Sequence, residues 1–320
     1  MPAKTKKRSA TATLAMLTAA LTLAVSGCQG GEGSQTPDGR SPSTGESAPG
    51  SHILAVKIDN VAPARPQTGL ETADIVYVEQ VEAGLSRILA VYSSQLPPVV
   101  GPVRSARESD LELLRQFDRP TLAFSGAQTK LLPLIEAAPV DALPPEKAPD
   151  AYFRSRDRAA PHNLYLRPER ALRDPPGVNA AKYAGFGFGP PPPGGRPVTE
   201  YSVRYPAAHF GFTWSAARQQ WLVAMDGTPS RTPAGQQLGA ATVVVQYVAV
   251  RPSRFHDRGG NTSPYTETVG SGTALVLRNG KAHEAEWERG TAESGTAFTT
   301  PDGRSMAFVS GQIWIVYAPR

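Results

Sequence analysis

Cysteine is almost absent from this chain of 320 residues, which contains a single cysteine, Cys28, and five histidines. One thiol cannot form an internal disulfide, so the folded regions must be held together by the burial of apolar side chains. No second cysteine or histidine stands at a spacing typical of zinc ligands. We therefore expect no metal site and no cofactor.

Long apolar runs are also scarce, and the clearest one lies near the amino terminus. Basic residues between positions 4 and 8 are followed by an apolar run from Leu14 to Val25 and then by Ser26-Gly27-Cys28. This order is typical of an export signal, with Cys28 at the position of the acylated cysteine of bacterial lipoproteins. We predict a signal peptide at 1–27 and a lipid anchor at Cys28 that holds the protein to the bilayer, on the outer face of the cytoplasmic membrane. The alternative is a free thiol in an exported protein.

The excess of positive charge disappears with the predicted signal peptide. The whole sequence carries a formal net charge of +5, and four basic residues but no acidic residue lie in the predicted signal peptide. The remaining chain has a net charge of +1. It lacks the strongly basic character typical of nucleic-acid binding, so we expect no nucleic-acid partner. Residues 28–51 are rich in Gly, Ser, Pro and Thr and predict a disordered tether.

Residues 52–173 have the pattern of an α/β domain. Apolar and β-branched runs predict four strands, of which the second and third form a hairpin: Ile53–Ile58, Asp74–Val81, Ser86–Tyr92 and Thr121–Gly126. One helix is predicted to begin just after Ser105, because Ser105 and Glu108 have the spacing of a capping box. A second helix is predicted from Gln128 to Ala137. This order of elements predicts helices packed on a mixed sheet.

Two arginines stand at the predicted start of the first helix, in the stretch Gly101-Pro-Val-Arg-Ser-Ala-Arg107. Free backbone N–H groups at a helix start favour an anion, and the guanidinium groups of Arg104 and Arg107 suit a carboxylate or a phosphate. The alternative is that both arginines bridge to acidic residues of their own domain. The full predicted ligand-binding set is Arg87, Arg104, Ser105, Arg107, His162 and Asn163.

The acidic residues of the hairpin allow two interpretations. The period of two places Glu79 on the same face as apolar residues, so its carboxylate needs a partner. One interpretation is a salt bridge from Glu79 or Glu82 to Arg87 across the hairpin. The other gives these acids a role in binding or catalysis.

An enzyme acting on cell-wall glycan is the alternative function. In such a hydrolase or transferase, Asp59 or Glu82 would transfer a proton, His162 would assist, and the arginines would hold substrate charge. His162 is equally compatible with a structural role in its proline-containing loop. These three residues are the candidate catalytic residues.

Proline and glycine mark a boundary at 174–198, which includes Pro190-Pro-Pro-Pro-Gly-Gly195 and predicts a linker. Residues 199–320 then predict a smaller β-rich domain. Its predicted strands are Glu200–Tyr205, His209–Trp214, Gln220–Met225, Ala241–Val250, Gly272–Leu277, Ala282–Trp287, Met306–Val309 and Gln312–Tyr317. The four tryptophans of this region are interpreted as core residues, with a sugar-stacking surface as the alternative.

Eight stretches of the chain resemble the YerB-like family of bacterial lipoproteins. They are Ala55-Val-Lys-Ile-Asp-Asn60, Ala64-Arg-Pro-Gln-Thr-Gly69, Ala73-Asp-Ile-Val-Tyr77, Glu82-Ala-Gly-Leu-Ser-Arg87, Gly101-Pro-Val-Arg-Ser-Ala-Arg107, Ala160-Pro-His-Asn-Leu-Tyr165, Val269-Gly-Ser-Gly-Thr-Ala274 and Gly311-Gln-Ile-Trp-Ile315. The resemblance implies a mixed α/β (α+β) protein, with a mixed-sheet amino-terminal domain followed by a smaller β-rich domain. It implies no particular reaction. It covers Asp59 and the predicted ligand-binding set, but it does not secure Glu79.

These observations favour a binding protein over an enzyme. We expect an exported lipoprotein whose amino-terminal domain binds an anionic component of the cell envelope. Carboxylates of peptidoglycan stem peptides and phosphate-rich wall polymers are the candidate ligands.

Overall fold

The computed structural model describes residues 53–172, 177–257 and 259–320. The predicted signal peptide, Cys28 and the tether therefore lie outside the described residues. Within the described ranges, no helix is both long enough and apolar enough to cross a membrane.

The amino-terminal region alternates strands with short helices, as its apolar runs predict. Its strands are β1 (Leu54–Asp59), β2 (Ile75–Gln80), β3 (Ser86–Tyr92), β4 (Thr121–Ala123), β5 (Asp141–Leu143), β6 (Tyr152–Arg154) and β7 (Leu164–Leu166). Its α-helices are α1 (Glu108–Leu114), α2 (Leu132–Ala137) and α3 (Pro168–Ala171). Single 3₁₀ turns occur at Ala62–Ala64, Leu70–Thr72, Glu82–Gly84, Arg115–Phe117 and Pro149–Ala151.

The carboxyl-terminal region is almost entirely β-structure after one short helix, α4 (Ala180–Tyr183). The strands are β8 (Arg196–Pro197), β9 (Glu200–Tyr205), β10 (Ala208–Ser215), β11 (Gln220–Met225), β12 (Thr228–Pro229), β13 (Gly239–Ala240), β14 (Thr242–Val248), β15 (Val250–His256), β16 (Thr262–Thr266), β17 (Gly270–Arg278), β18 (Lys281–Arg289), β19 (Ala297–Thr299) and β20 (Ile313–Pro319). The predicted strand at Met306–Val309 is wrong, because this segment forms only an isolated bridge between Phe308 and Phe188.

One mixed sheet crosses both regions. In the described chain it has eleven strands in the order β19-β18-β17-β14-β20-β2-β3-β1-β4-β5, with β8 paired to β18. Strand β20 lies between β14 and β2 and runs parallel to both, so Ile75 of the first region is paired with Ile313. The described residues accordingly belong to one compact unit. The domain boundaries predicted from the sequence stay a prediction.

Both faces of this sheet are buried, which explains why its central strands are apolar along their whole length. Successive residues of β1 point to opposite faces, so Leu54 packs on one side and Ala55 on the other. The smaller sheet of β9 to β13 covers the first face through residues such as Phe210 and Trp221. Helices α1, α2 and α4 cover the second face, with Leu113 among the contacting residues. The fold therefore has three layers.

The described part of the predicted linker, 177–198, packs against the carboxyl-terminal strands. Helix α4 and strand β8 lie within it, and β8 pairs with β18. Phe186 of the Gly-Phe-Gly-Phe-Gly stretch is buried against Phe298 and Phe308. Burial of this aromatic ring anchors the segment, so residues around it do not form a free-standing spacer.

Helix α1 begins later than the predicted start after Ser105. Arg107 is its N-cap, and the backbone N–H of Arg107 donates to the Asp110 carboxylate at 2.7 Å. Asp110 therefore takes the place that the sequence assigns to Glu108 in the capping box. The prediction was wrong because backbone hydrogen bonds to neighbouring segments hold residues 103–106 outside the helix.

A fully buried lysine connects this helix to the sheet. Lys57 in β1 is 0% exposed and forms ion pairs with Glu79 in β2 and, at 2.6 Å, with Asp110 in α1. The hydroxyl of Ser109 donates to the other oxygen of Glu79 at 2.8 Å. The carboxylate that the sequence placed on an apolar face is thus paired with Lys57 and not with Arg87. The side chain of Lys57 reaches across β3 because a buried ammonium group requires a charged partner.

Replacing Lys57 should strongly destabilise the fold. We expect Lys57→Met to lower the free energy of unfolding by about 3–5 kcal/mol, because two buried carboxylates would lose their cation. Denaturant unfolding of both proteins measures this difference. The matched control is Lys130→Met at an exposed position, which we expect to change stability by less than about 0.5 kcal/mol. Equal stabilities of the two variants would contradict this account of the cluster.

Candidate functional site

A cavity of about 810 Å³ opens beside the carboxyl ends of the parallel strands β1 and β4. Such ends are common places for ligand sites in α/β proteins. Its wall includes Asp59, the hairpin turn at 81–87, the segment 104–108 and residues 125–129. Residues of the β15–β16 ribbon complete the wall. The cavity therefore collects side chains from both regions of the chain.

Backbone hydrogen bonds hold the arginine-bearing segment in place. Arg104 N–H donates to the carbonyl of Lys57 at 2.8 Å, and Val103 N–H donates to the carbonyl of Leu164 at 2.6 Å. Gly101 lies so close to the next motif that a Cβ atom there would be 2.8 Å from the ring of Tyr165. The segment is thus clamped between β1 and β7, which brings Arg104 and Arg107 to the cavity.

Arg107 is committed to a closed ion pair. Its Nε donates to Glu82 Oε1 at 2.6 Å, and its Nη2 donates to Glu82 Oε2 at 2.5 Å. Its Nη1 donates to the carbonyls of Ser105 and Ala106. Ser263 of the ribbon also donates to the Glu82 carboxylate. This bidentate pair leaves Arg107 little capacity to bind a ligand.

The pairing keeps Glu82 ionised. Burial alone would raise the pKa of Glu82, but hydrogen bonds and positive charge from Arg107, with the hydrogen bond from Ser263, hold it below its ordinary value. A carboxyl group with a lowered pKa is a poor proton donor at neutral pH. The geometry thus counts against the catalytic role considered for Glu82.

Asp59 is shared by Arg104 and His162. Arg104 Nε lies 3.0 Å from Asp59 Oδ2 in an ion pair that lacks hydrogen-bond geometry, and His162 Nδ1 lies 2.8 Å from the same oxygen. The terminal Nη atoms of Arg104 donate to no described residue. The Arg104 side chain remains 25% exposed, so these donors are available to a ligand. Asp59 itself is buried between its two partners.

Arg87 differs from the other two arginines because it forms no ion pair with any described residue. Its Nη1 donates to the carbonyl of Ser105 at 3.2 Å. Glu79 faces Arg87 in the register of β2 and β3, yet that carboxylate is taken by Lys57. Burial lowers the pKa of Arg87 to about 10, and the charge of Arg107 adds to the decrease. The group remains charged at neutral pH and lines the cavity.

The structure separates the predicted site residues into two groups. Arg87, Arg104, Ser105 and Arg107 line the cavity together with the candidate acids Asp59 and Glu82. His162 reaches the group only through its contact with Asp59. Asn163 is committed to its own loop, where its Oδ1 accepts from Arg154 at 2.7 Å and its Nδ2 donates to the carbonyl of Ser155. The predicted bridge from Glu79 or Glu82 to Arg87 is wrong, because these acids pair with Lys57 and Arg107.

Sequence reasoning missed the wall that the ribbon supplies. His256 and Ser263 lie on β15 and β16, and Gln128 contacts the ribbon by donating to the carbonyl of His256 at 2.9 Å. Prolines and arginines in the ribbon mask its strand pattern. No local signal in the sequence connects these residues to the cavity. Lys57, by contrast, had a recognisable signal, a lysine inside an apolar run.

Across the described ranges, no group of three or more His, Cys, Asp and Glu residues is arranged to hold a metal ion. The hydrogen-bond donors at the cavity are guanidinium groups, amides and hydroxyls. The chemistry of this donor set suits recognition of an anion by hydrogen bonds.

Comparison with known protein families also divides the chain into an amino-terminal and a carboxyl-terminal part. Two family models match, described as the N-terminal and C-terminal domains of a protein of unknown function, DUF3048, at residues 39–181 and 201–315. YerB of Bacillus subtilis (strain 168), which is named as a candidate lipoprotein, is 26% identical over 284 residues. That match covers 83% of this chain and 81% of the relative.

A solved structure shows the same fold. The crystal structure of the YerB protein from Bacillus subtilis aligns with a TM-score of 0.69 at 22% identity. The alignment covers 84% of this chain and 91% of that chain.

The buried acid at the start of α1 should make stability depend on pH. Burial raises the pKa of Asp110 from its ordinary value of 3.8 to about 6, the Glu79 carboxylate adds to the increase, and Lys57 opposes it. The folded protein therefore binds this proton more tightly than the unfolded chain. Its contribution to stability is present below the ordinary pKa and is lost as pH rises through about 6.

We expect the free energy of unfolding of the wild type to fall relative to that of Asp110→Asn as pH rises from about 4 to about 7. Denaturant unfolding across this range measures the difference. The control is Asp150→Asn, an exposed position, whose difference from the wild type should stay constant. A constant difference for Asp110→Asn as well would show that folding does not raise the pKa of Asp110.

Proposed function

Because the chain belongs to the two-domain DUF3048 family and is similar to YerB, we propose that it is an exported, membrane-anchored protein that binds an anionic ligand of the cell envelope. The cavity beside β1 and β4 is the proposed binding site. Arg87 and Arg104 hold the anionic group, and Arg107 supports them from its bridge to Glu82.

The observation that carries this proposal is that two arginines on one wall of the cavity have N–H groups that donate to no described residue. Arg87 has no ion pair among the described residues, and the terminal nitrogens of Arg104 donate to none of them. A partly buried cation without an anionic partner lowers stability. Retaining such a group at a cavity is consistent with a partner that arrives from solution. A ligand anion would provide that partner.

Catalysis on glycan receives less support from the same site. Proton transfer would require a carboxyl group that is free to gain and lose a proton. Asp59 is paired with Arg104 and His162, and Glu82 is paired with Arg107. We therefore retain binding as the proposed function.

The place of action follows from the amino-terminal sequence. The segment ending at Cys28 has the order of a lipoprotein signal, and the relative YerB is named as a candidate lipoprotein. We propose that acylated Cys28 holds the protein at the outer face of the cytoplasmic membrane. The cavity would then face peptidoglycan and anionic wall polymers.

Substitution of Arg87 should separate binding from stability. We expect Arg87→Met to abolish the increase in melting temperature that acetate or inorganic phosphate produces in the wild type at constant ionic strength. Without added anion, the variant should lose little stability, because burial of the Arg87 charge offsets its attraction to Glu82 and Asp59. Thermal unfolding monitored by circular dichroism measures both quantities.

The control for this experiment is Arg119→Met, which removes an exposed arginine paired with Asp141. It should respond to both anions as the wild type does. The proposal fails if neither anion stabilises the wild type, or if Arg87→Met responds to them like the wild type.

Loss of the acylated thiol should prevent attachment of the processed protein to the membrane. In a bacterial host we expect the wild type in the membrane fraction and Cys28→Ala in a soluble or uncleaved precursor form, because the thiol is the proposed attachment point of the lipid. Fractionation with detection of the processed chain by mass measures the result. Ser34→Ala in the predicted tether is the control. Recovery of processed Cys28→Ala in the membrane fraction would contradict lipid anchoring.

A further inference from the structure

The charges around the cavity restrict what kind of anion it can hold. Four arginines and four acids line the wall: Arg87, Arg104, Arg107, Arg154, Asp59, Glu82, Glu108 and Asp257. A phosphate dianion or a polyanion would bring several negative charges close to Asp59 and Glu82, and like charges in contact oppose binding. Arg87 and Arg154 form no ion pair among the described residues, and Arg154 donates to Asn163 Oδ1. Arg87, which donates to no described group except the carbonyl of Ser105, is thus matched to a single negative charge. The balance therefore favours a monoanionic group.

A second wall of the cavity offers an acceptor that has no donor. Gln128 lines the cavity, and its amide nitrogen donates to the carbonyl of His256 at 2.9 Å. Its Oε1 is buried and accepts no hydrogen bond from any described residue. A buried acceptor without a partner is unfavourable. A ligand that carries an N–H or O–H donor beside its anionic group would satisfy it.

Apolar side chains supply part of the remaining wall, and the cavity is large. Val61, Val81, Leu85, Leu131 and Phe255 are among its lining residues. A volume of about 810 Å³ falls within the range of roughly 300–1,000 Å³ that is typical of small-molecule sites. Such a space accommodates a ligand that presents aliphatic groups between its polar ends.

One chemical class combines these three properties. A peptide that ends in a free carboxylate has one negative charge, amide N–H donors a few bonds away, and side chains that contact apolar walls. Phosphodiesters also carry one charge, but the group itself has no hydrogen-bond donor. Acetate has the charge alone.

We infer that the cavity binds the free carboxyl terminus of a short peptide. The carboxylate contacts Arg87 and Arg104, and a peptide N–H donates to Gln128 Oε1. This inference rests on the proposed function, because it names the ligand class of the same anion site. The ribbon contributes to recognition through the apolar surface of Phe255 and through the contact between His256 and Gln128.

Calorimetric titration of the full chain in detergent tests the inference with defined probes. The probes are tri-alanine, tri-alanine amide, acetate and inorganic phosphate. We expect tri-alanine to bind most tightly and its amide to bind roughly tenfold or more weakly, because a charge-assisted pair with arginine is lost. Arg87→Met should weaken tri-alanine binding by a similar factor.

Two glutamine variants isolate the acceptor. Gln128→Met should weaken tri-alanine binding several-fold and leave acetate binding unchanged, because acetate has no amide donor. The matched control is Gln95→Met at an exposed position away from the cavity lining, which should change neither. Equal effects of Gln128→Met on both probes would overturn the role of Gln128.

The outcomes distinguish this inference from the proposed function. If inorganic phosphate binds in an Arg87-dependent manner and tri-alanine does not, the peptide class is overturned and anion binding stands. If tri-alanine and its amide bind equally, recognition of the carboxylate is overturned. If none of the four probes binds, both the inference and the proposed function are overturned.

Discussion

The pairing of one buried lysine with two carboxylates is the constraint on which the rest of the site depends. Lys57 belongs to the central sheet, Glu79 to a neighbouring part of it, and Asp110 to the first turn of α1. Because Asp110 also accepts the backbone N–H of Arg107, the same cluster fixes the position at which the helix begins. A charge network inside the fold thus determines where the cavity arginines stand. Directional ion pairs hold this cluster together, whereas the layers around it are held together by the burial of apolar side chains.

Two acids of the cavity wall form ion pairs with arginines and leave Arg87 without one in the described part of the chain. Glu82 closes the bridge to Arg107, and Asp59 joins Arg104 to His162. Neither acid forms an ion pair with Arg87, whose side chain donates to no described group except the carbonyl of Ser105. Preorganised donors of this kind lose little conformational freedom when a ligand binds. The site is therefore better suited to capture than to proton transfer.

Local patterns predicted most strands correctly, because period and β-branched content are properties of short segments. Strand β3 was predicted with its observed bounds, and β1 and β2 within about two residues at each end. The ion-pair partners of the side chains were harder to predict. Arg87 lies opposite Glu79 in the hairpin, but that carboxylate binds the ammonium group of Lys57 and the hydroxyl of Ser109 in α1. The ribbon wall escaped prediction because its contacts with the cavity depend on residues distant in sequence, which no local pattern records.

Insertion of β20 between β2 and β14 has a consequence for how the protein matures. The edges of these two strands stay open until a segment near residue 313 has been made, so the amino-terminal sheet cannot close early in synthesis. During this interval each open edge can pair with another chain. Late closure therefore lengthens the time for which the edges of β2 and β14 stay unpaired. The chain therefore needs protection from pairing with other chains until β20 has been made.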